Sequence, residues 1–260
     1  MKEVRVESWA ELMHTLFEDS WKEEIGRFRS PFAFRGMANA GDRLASSLIH
    51  RGSSYVGLEQ NLLRNFRKYA QHHVGDGDST WYWLSLAQHH GLPTRLLDWT
   101  YSPFVALHFV TVEIELERDG VIWAVDFERA HHLAPDPLRA SLRSERSSVF
   151  TVDMLAESIR SLRDLESMAG DPFVLFFEPP SIDDRIVNQY ALFCMMSDPR
   201  AIMEEWLEQR PELYRRIIVP AELKWEVRDK LDQANVTERV LFPGLDGLCR
   251  WLTRYYGPRY

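Results

Sequence analysis

Three short stretches break the local rules of the sequence around them, and each holds residues that could do chemistry. In Pro31-Phe-Ala-Phe-Arg-Gly36 an arginine is flanked by aromatic side chains, where a guanidinium costs stability unless it is paired or faces a cleft. Arg35 is therefore either half of a structural salt bridge or a planar fork aimed at phosphate. Gly36 beside it would let a ligand or another backbone come close. The run Gln88-His-His-Gly-Leu-Pro-Thr-Arg-Leu-Leu-Asp-Trp-Thr100 gathers two histidines, an arginine, an aspartate and a threonine around one turn and strand. It reads as a ligand-binding wall, or as a buried polar network that holds the turn. On a strand Arg95 and Asp98 face oppositely, which argues against a simple pair. In Asp183-Asp-Arg-Ile-Val-Asn-Gln189, the last residue stands at the mouth of the apolar strand Tyr190–Met195, well placed to meet a ligand. Capping and turn chemistry by Asp183 and Asn188 is the competing explanation.

Other chemistries lack their signatures. The adjacent histidines 72–73, 89–90 and 131–132 cannot both point the same way from a helix. With no His-x-x-x-His or Cys-x-x-Cys spacing, no metal is expected. There is no Gly-x-Gly-x-x-Gly, no P-loop and no Gly-x-Ser-x-Gly elbow. A nucleotide hydrolase using His89 or His90 as base is a weaker reading. A net charge of −8 argues against a broad nucleic-acid-coating surface but leaves room for a local basic cleft. Arg139, Arg143 and Arg146 form either such a basic face or an ordinary solvated helix surface.

These residues need elements to hold them. Ser8 is expected to cap a helix whose face is Trp9, Leu12, Met13, Leu16 and Phe17, with Glu11 at the capping-box position. The segment 21–29 is charged and expected to be exposed. A second amphipathic helix is expected over 57–71, with Leu58, Leu62, Phe66 and Tyr69 inward, followed by a loop at 75–79. A helix over 81–90 leads to the strand 94–100. Ser102-Pro103 then starts a helix running past Val112 toward Glu117. Strands are expected at 121–127, 173–177, 189–195 and 214–219. Helices are expected at 137–145, 152–168, 199–209, 221–234 and 245–256, with a short helix or turn at 181–188. Strands and helices mix without strict alternation, which indicates an α+β fold. No apolar run suits a signal peptide or a membrane span. Cys194 and Cys249, both in apolar surroundings, are expected as buried free thiols, which fits a cytoplasmic protein.

Phe34-Arg35-Gly36 and the 88–100 run, continued by Ser-Pro-Phe-Val-Ala-Leu-His-Phe109, resemble the FRG domain family. Arg185-Ile-Val-Asn-Gln189 is similar to that family's later motif, and Leu241–Leu248 to its closing segment. The resemblance implies one FRG-type domain over 1–260, with a motif-bearing core at about 30–195 and a C-terminal α/β extension at 196–260. It further implies an ADP-ribosyltransferase-like fold: a split, mainly antiparallel β-sheet core flanked by helices around an NAD cleft. Carried over, Arg35, Asp98 and Gln189 would be catalytic. Arg35, Gly36, Gln88, His89, His90, Thr94, Arg95, Thr100 and Ser102 would hold NAD, consumed as substrate. Gln189 stands where many such enzymes have glutamate, so negative charge would come from Asp98, Glu178 or Asp184. Met37 and Ala191 stand where glutamine and glycine are common in the family. The activity implied is that of a bacterial toxin or phage-defence effector, with an acceptor in nucleic acid or protein and an antitoxin as a further partner. The alternative is a non-catalytic module binding a nucleotide or another phosphorylated ligand.

Overall fold

The run Gly120–Asp126 is buried at all seven positions, as a strand covered on both faces must be. It lies inside the main sheet of the computed structural model, which describes residues 2–72, 79–112 and 118–257. Ten strands follow in chain order: β1 Lys2–Arg5, β2 Trp21–Lys22, β3 Arg27–Phe28, β4 Phe32–Met37, β5 Leu96–Thr100, β6 Gly120–Asp126, β7 Phe150–Thr151, β8 Val174–Glu178, β9 Ala191–Met196 and β10 Tyr214–Val219. Eight of them form one sheet in the order β1-β10-β6-β4-β5-β9-β8-β7, while β2 and β3 make a separate hairpin. Only the edge pairs β1/β10 and β7/β8 are parallel. The result is a large, mostly antiparallel sheet flanked by helices, consistent with the expected α+β class.

The centre of this sheet is nearly interrupted. β4 and β6 pair over six positions and β5 and β9 over five, but β4 and β5 meet at the single pair Phe34↔Thr100. Side-chain packing follows the same division. One face carries a continuous core in which Trp99, Trp123, Cys194 and Phe176 pack together. The opposite face carries two cores. Phe34, Ile122, Ala106 and Ile217 belong to one, and Leu96, Phe177, Phe193 and Met195 to the other. A hollow between these two cores is what a narrowed β4/β5 junction permits.

Several local expectations hold for the stated reasons. The Ser8 hydroxyl accepts from the Glu11 amide, and Glu11 reaches back to the Glu7 amide, closing the start of the Trp9–Phe17 helix. Ser102 caps Pro103–Thr111 by accepting from the Val105 amide. Other expectations need correction. The 57–71 segment folds as a helix over Glu59–Ala70, but Leu58 and Tyr69 are exposed, Leu62 and Phe66 half-buried, and only Glu59 fully buried. The 152–168 segment is two helices, Val152–Ser158 and Leu162–Ser167, because Ser161 starts a new one by accepting from the Asp164 amide. β1 and a short helix at Glu238–Leu241 were not expected. Cys194 is buried as anticipated, whereas Cys249 is exposed. Most of the loop at 75–79, the helix extension beyond Val112 and His73 lie outside the described residues. No helix among the described residues is long and apolar enough to cross a membrane.

Candidate functional site

A cavity of about 230 Å³ opens beside the β4/β5 junction, between the two cores of the divided face. β4 contributes Arg35, and β5 contributes Asp98 and Thr100. Gln88 and His89 arrive from the last turn of the Thr80–His89 helix. Arg185 comes from the short helix Asp184–Asn188, whose C-cap is Gln189. Val105 and Phe109 of the Pro103–Thr111 helix supply apolar wall.

Arg35 has no carboxylate at ion-pair distance among the described residues. One of its terminal nitrogens donates to the Asp98 carbonyl at 2.5 Å, and its Nε is buried without a partner. Arg185 is in a similar state: its guanidinium stacks over the Phe242 ring at 5.2 Å, and its Nε is also buried and unpartnered. Two cations thus face one small space without the acidic partners that buried guanidinium groups normally require. The salt-bridge explanation of Arg35 falls with this observation.

Asp98 is held by a relay. The Thr94 hydroxyl donates to Gln88 Oε1 at 2.5 Å, which turns the Gln88 Nε2 toward Asp98 Oδ2 at 3.0 Å. Of the three carboxylates considered as a source of negative charge, only Asp98 lines the cavity. Glu178 accepts from the Tyr101 hydroxyl at 3.0 Å and borders a different groove, and Asp184 is exposed outside it. Gln189 anchors its Nε2 on the Leu241 carbonyl at 2.9 Å, and its own carbonyl accepts from the Thr100 hydroxyl at 2.7 Å. It precedes β9 rather than opening it. His89 Nε2 lies 2.7 Å from Asp183 Oδ2. Burial alone would raise the Asp183 carboxyl, but the Ile186 amide and His89 outweigh it and hold it below the usual carboxylate range.

Four expected residues do not line this space. Arg95 is buried and fully engaged: Glu59 takes its Nε at 2.8 Å and its Nη2 at 2.5 Å, Glu166 takes Nη2 at 2.6 Å, and the Ser197 carbonyl takes Nη1 at 3.1 Å. It is a structural ion pair, so the expectation that it grips an anion is corrected. Thr94 acts through Gln88, Ser102 caps a helix, and His90 is a helix C-cap with its ring edge-on to that of His89. Gly36 lines the cavity, yet a Cβ there would lie 1.8 Å from the Ala106 carbonyl oxygen, so the backbone that approaches it is the neighbouring helix. Ala191 lines the cavity and Met37 packs on the core instead.

Arg185 and Asp183, the partner of His89, were not among the site residues expected from sequence. The capping pattern at Asp183 pointed to a local role and hid its bond to His89, which is 94 residues away. Among the described residues no group of His, Cys, Asp and Glu could hold a metal.

The family model of the FRG domain matches residues 30–119, and the chain carries an FRG domain there. The match spans β4, β5 and the helices between and after them, and it stops well before Arg185 and Gln189. No curated protein and no solved structure matches the chain.

Proposed function

We propose that the cavity receives the ribose and phosphate of a nucleotide, and that the protein is an NAD-dependent ADP-ribosyltransferase. The observation that carries this reading is the arrival of Arg35, Asp98 and Gln189 at one hollow from three distant places in the chain. The unpaired guanidinium groups of Arg35 and Arg185 suit phosphate oxygens. At about 230 Å³ the space is smaller than a typical pocket of roughly 300–1,000 Å³, so it would enclose one nucleotide end and leave the rest of a dinucleotide outside.

In the reaction, the bond from ribose C1′ to the nicotinamide nitrogen breaks. The pyridinium leaves with the bonding pair as neutral nicotinamide, and positive charge spreads over C1′ and the ring oxygen. Asp98, fixed by Gln88, is the cavity's carboxylate for that charge. An acceptor nucleophile then bonds to C1′ and releases its proton, for which His89, supported by Asp183, is the nearby base. The amide of Gln189 adds no charge and orients the sugar through hydrogen bonds.

One observation favours a second reading. Gln189 ties its amide to Leu241, and no carboxylate stands in its place, which suits a module that binds a nucleotide without cleaving it. Calorimetry with NAD and chromatography for free nicotinamide separate the two. The wild type should bind NAD and release nicotinamide. Arg35→Ala should weaken binding by roughly ten- to a hundredfold, the worth of a charged hydrogen bond. Asp98→Asn should keep binding and folding but lose about 10²–10³ in turnover. Binding without release would leave the module, and no binding at millimolar NAD would overturn both for this ligand.

A further inference from the structure

A second hollow, of about 490 Å³, opens between the Glu59–Ala70 helix, the start of the Thr80–His89 helix and the turn before Leu162–Ser167. Arg64, Arg67 and Arg163 line it, and among the described residues no aspartate or glutamate does. Several other arginines are neutralised: Arg43 pairs with Glu205, Arg216 with Glu3, Arg254 with Asp232 and Glu238. The three here make no ion pair among the described residues, and Arg67 only overlies the Trp83 ring at 5.7 Å. Three unneutralised cations on one concave wall, in a chain of net charge −8, mark a local anion site.

Its position gives it a direction. At Thr80 the hollow adjoins a larger groove that Arg160 also borders and whose lining includes Glu178 and Ser181. Two residues beyond Ser181, Asp183 contacts His89 of the candidate active site. The Thr80–His89 helix spans the same interval, about 13 Å at 1.5 Å per residue. A nucleic-acid strand at ~3.4 Å per nucleotide covers that distance in about four nucleotides. A free mononucleotide does not reach. All three guanidinium groups are exposed, an arrangement suited to sequence-independent contact with phosphates.

We propose that Arg64, Arg67 and Arg163 bind the phosphodiester backbone of a single-stranded nucleic acid, which the groove leads toward the cavity as acceptor. The acceptor role rests on the transferase reading, whereas the binding itself does not. Fluorescence anisotropy with a labelled oligothymidylate and no NAD tests the binding alone. Three phosphate contacts predict that log K falls against log salt with a slope of about −2 for a single strand. The triple variant R64Q/R67Q/R163Q should weaken binding at least roughly tenfold and flatten that slope. The control R27Q/R143Q/R200Q, which removes equal charge from exposed and unpaired sites, should bind as the wild type does. Equal weakening in the control would overturn the proposal, as would no binding by the wild type at low salt. So would an acidic peptide or ATP that competes as well as the oligonucleotide at matched charge. A protein that binds the strand normally but releases no nicotinamide would refute only the transferase reading.

Discussion

The Arg95 guanidinium meets Glu59 and Glu166, carboxylates 36 residues before it and 71 after it, in a place where both Arg95 and Glu59 are 3% exposed. Removing one partner of a buried pair costs about 3–5 kcal/mol, and because Glu166 still meets Arg95 when Glu59 is gone, the loss here falls at the lower end. Glu59→Ala should therefore lower the unfolding free energy obtained from chemical denaturation by about 3 kcal/mol, while nucleotide binding measured on the folded fraction stays intact. Arg95 lies just before β5 and is sealed in the core, whereas Asp98 within the strand is exposed and its carbonyl accepts from Arg35. Strand parity alone cannot say which face holds a ligand. That depended on Glu59, which sits in a helix read from sequence by its apolar residues. Arg35 differed because its flanking phenylalanines signalled burial and no sealing carboxylate is found at ion-pair distance among the described residues.

At the scale of elements, the C-terminal helices brace the candidate site. Asn188 donates to the Val240 carbonyl, Gln189 to the Leu241 carbonyl, and Arg185 lies over Phe242. Gly247, in the helix Leu245–Tyr255, makes this possible, since a Cβ there would stand 1.9 Å from the Phe242 carbonyl oxygen. Gly247→Ala should push the 240–242 segment outward, costing about 1–3 kcal/mol as overpacking. Loss of nucleotide affinity in calorimetry should exceed what that destabilisation explains. Helix starts were readable because Ser8 and Ser102 carry their own capping chemistry. The brace was not, because its hydrogen bonds use backbone carbonyls that every residue possesses. The short edge strand β1 escaped notice because Lys2–Arg5 is only four residues long and Val4 is its one apolar residue.

The molecule as a whole has a built-in sensitivity to acid. His131 Nε2 accepts from the Phe176 amide at 2.8 Å, so its proton sits on Nδ1, directed at the Ser148 carbonyl at 2.9 Å. Burial pushes this imidazole down to about 4, and burial together with Arg228 pushes His108 down to about 3. Between those values and the ordinary 6.5 the unfolded chain binds protons that the folded chain refuses. Stability is then full above about pH 6.5 and falls as pH drops toward 4, by on the order of 3 kcal/mol for His131. Asp183 and Glu238, held below the usual carboxylate range, contribute their loss only at lower pH. Thermal melting followed from pH 7 to 4.5 should show the decline, and His131→Gln should flatten it. The α+β character was legible in the order of apolar runs, and the mostly antiparallel sheet was implied by the family resemblance alone. The near-break between β4 and β5 was not legible, since it depends on how far two strands separated by 58 residues diverge after their one shared pair.

The outermost ladder also bears on how the chain is made. Lys2 to Arg5 align with Arg215 to Ile218, so this segment has no partner until more than two hundred residues have followed it. Closing so long a loop carries an entropic cost that only the preassembled β10/β6 edge can offset. During synthesis that segment must wait unpaired, and the sheet acquires its final strand only once translation has passed Val219.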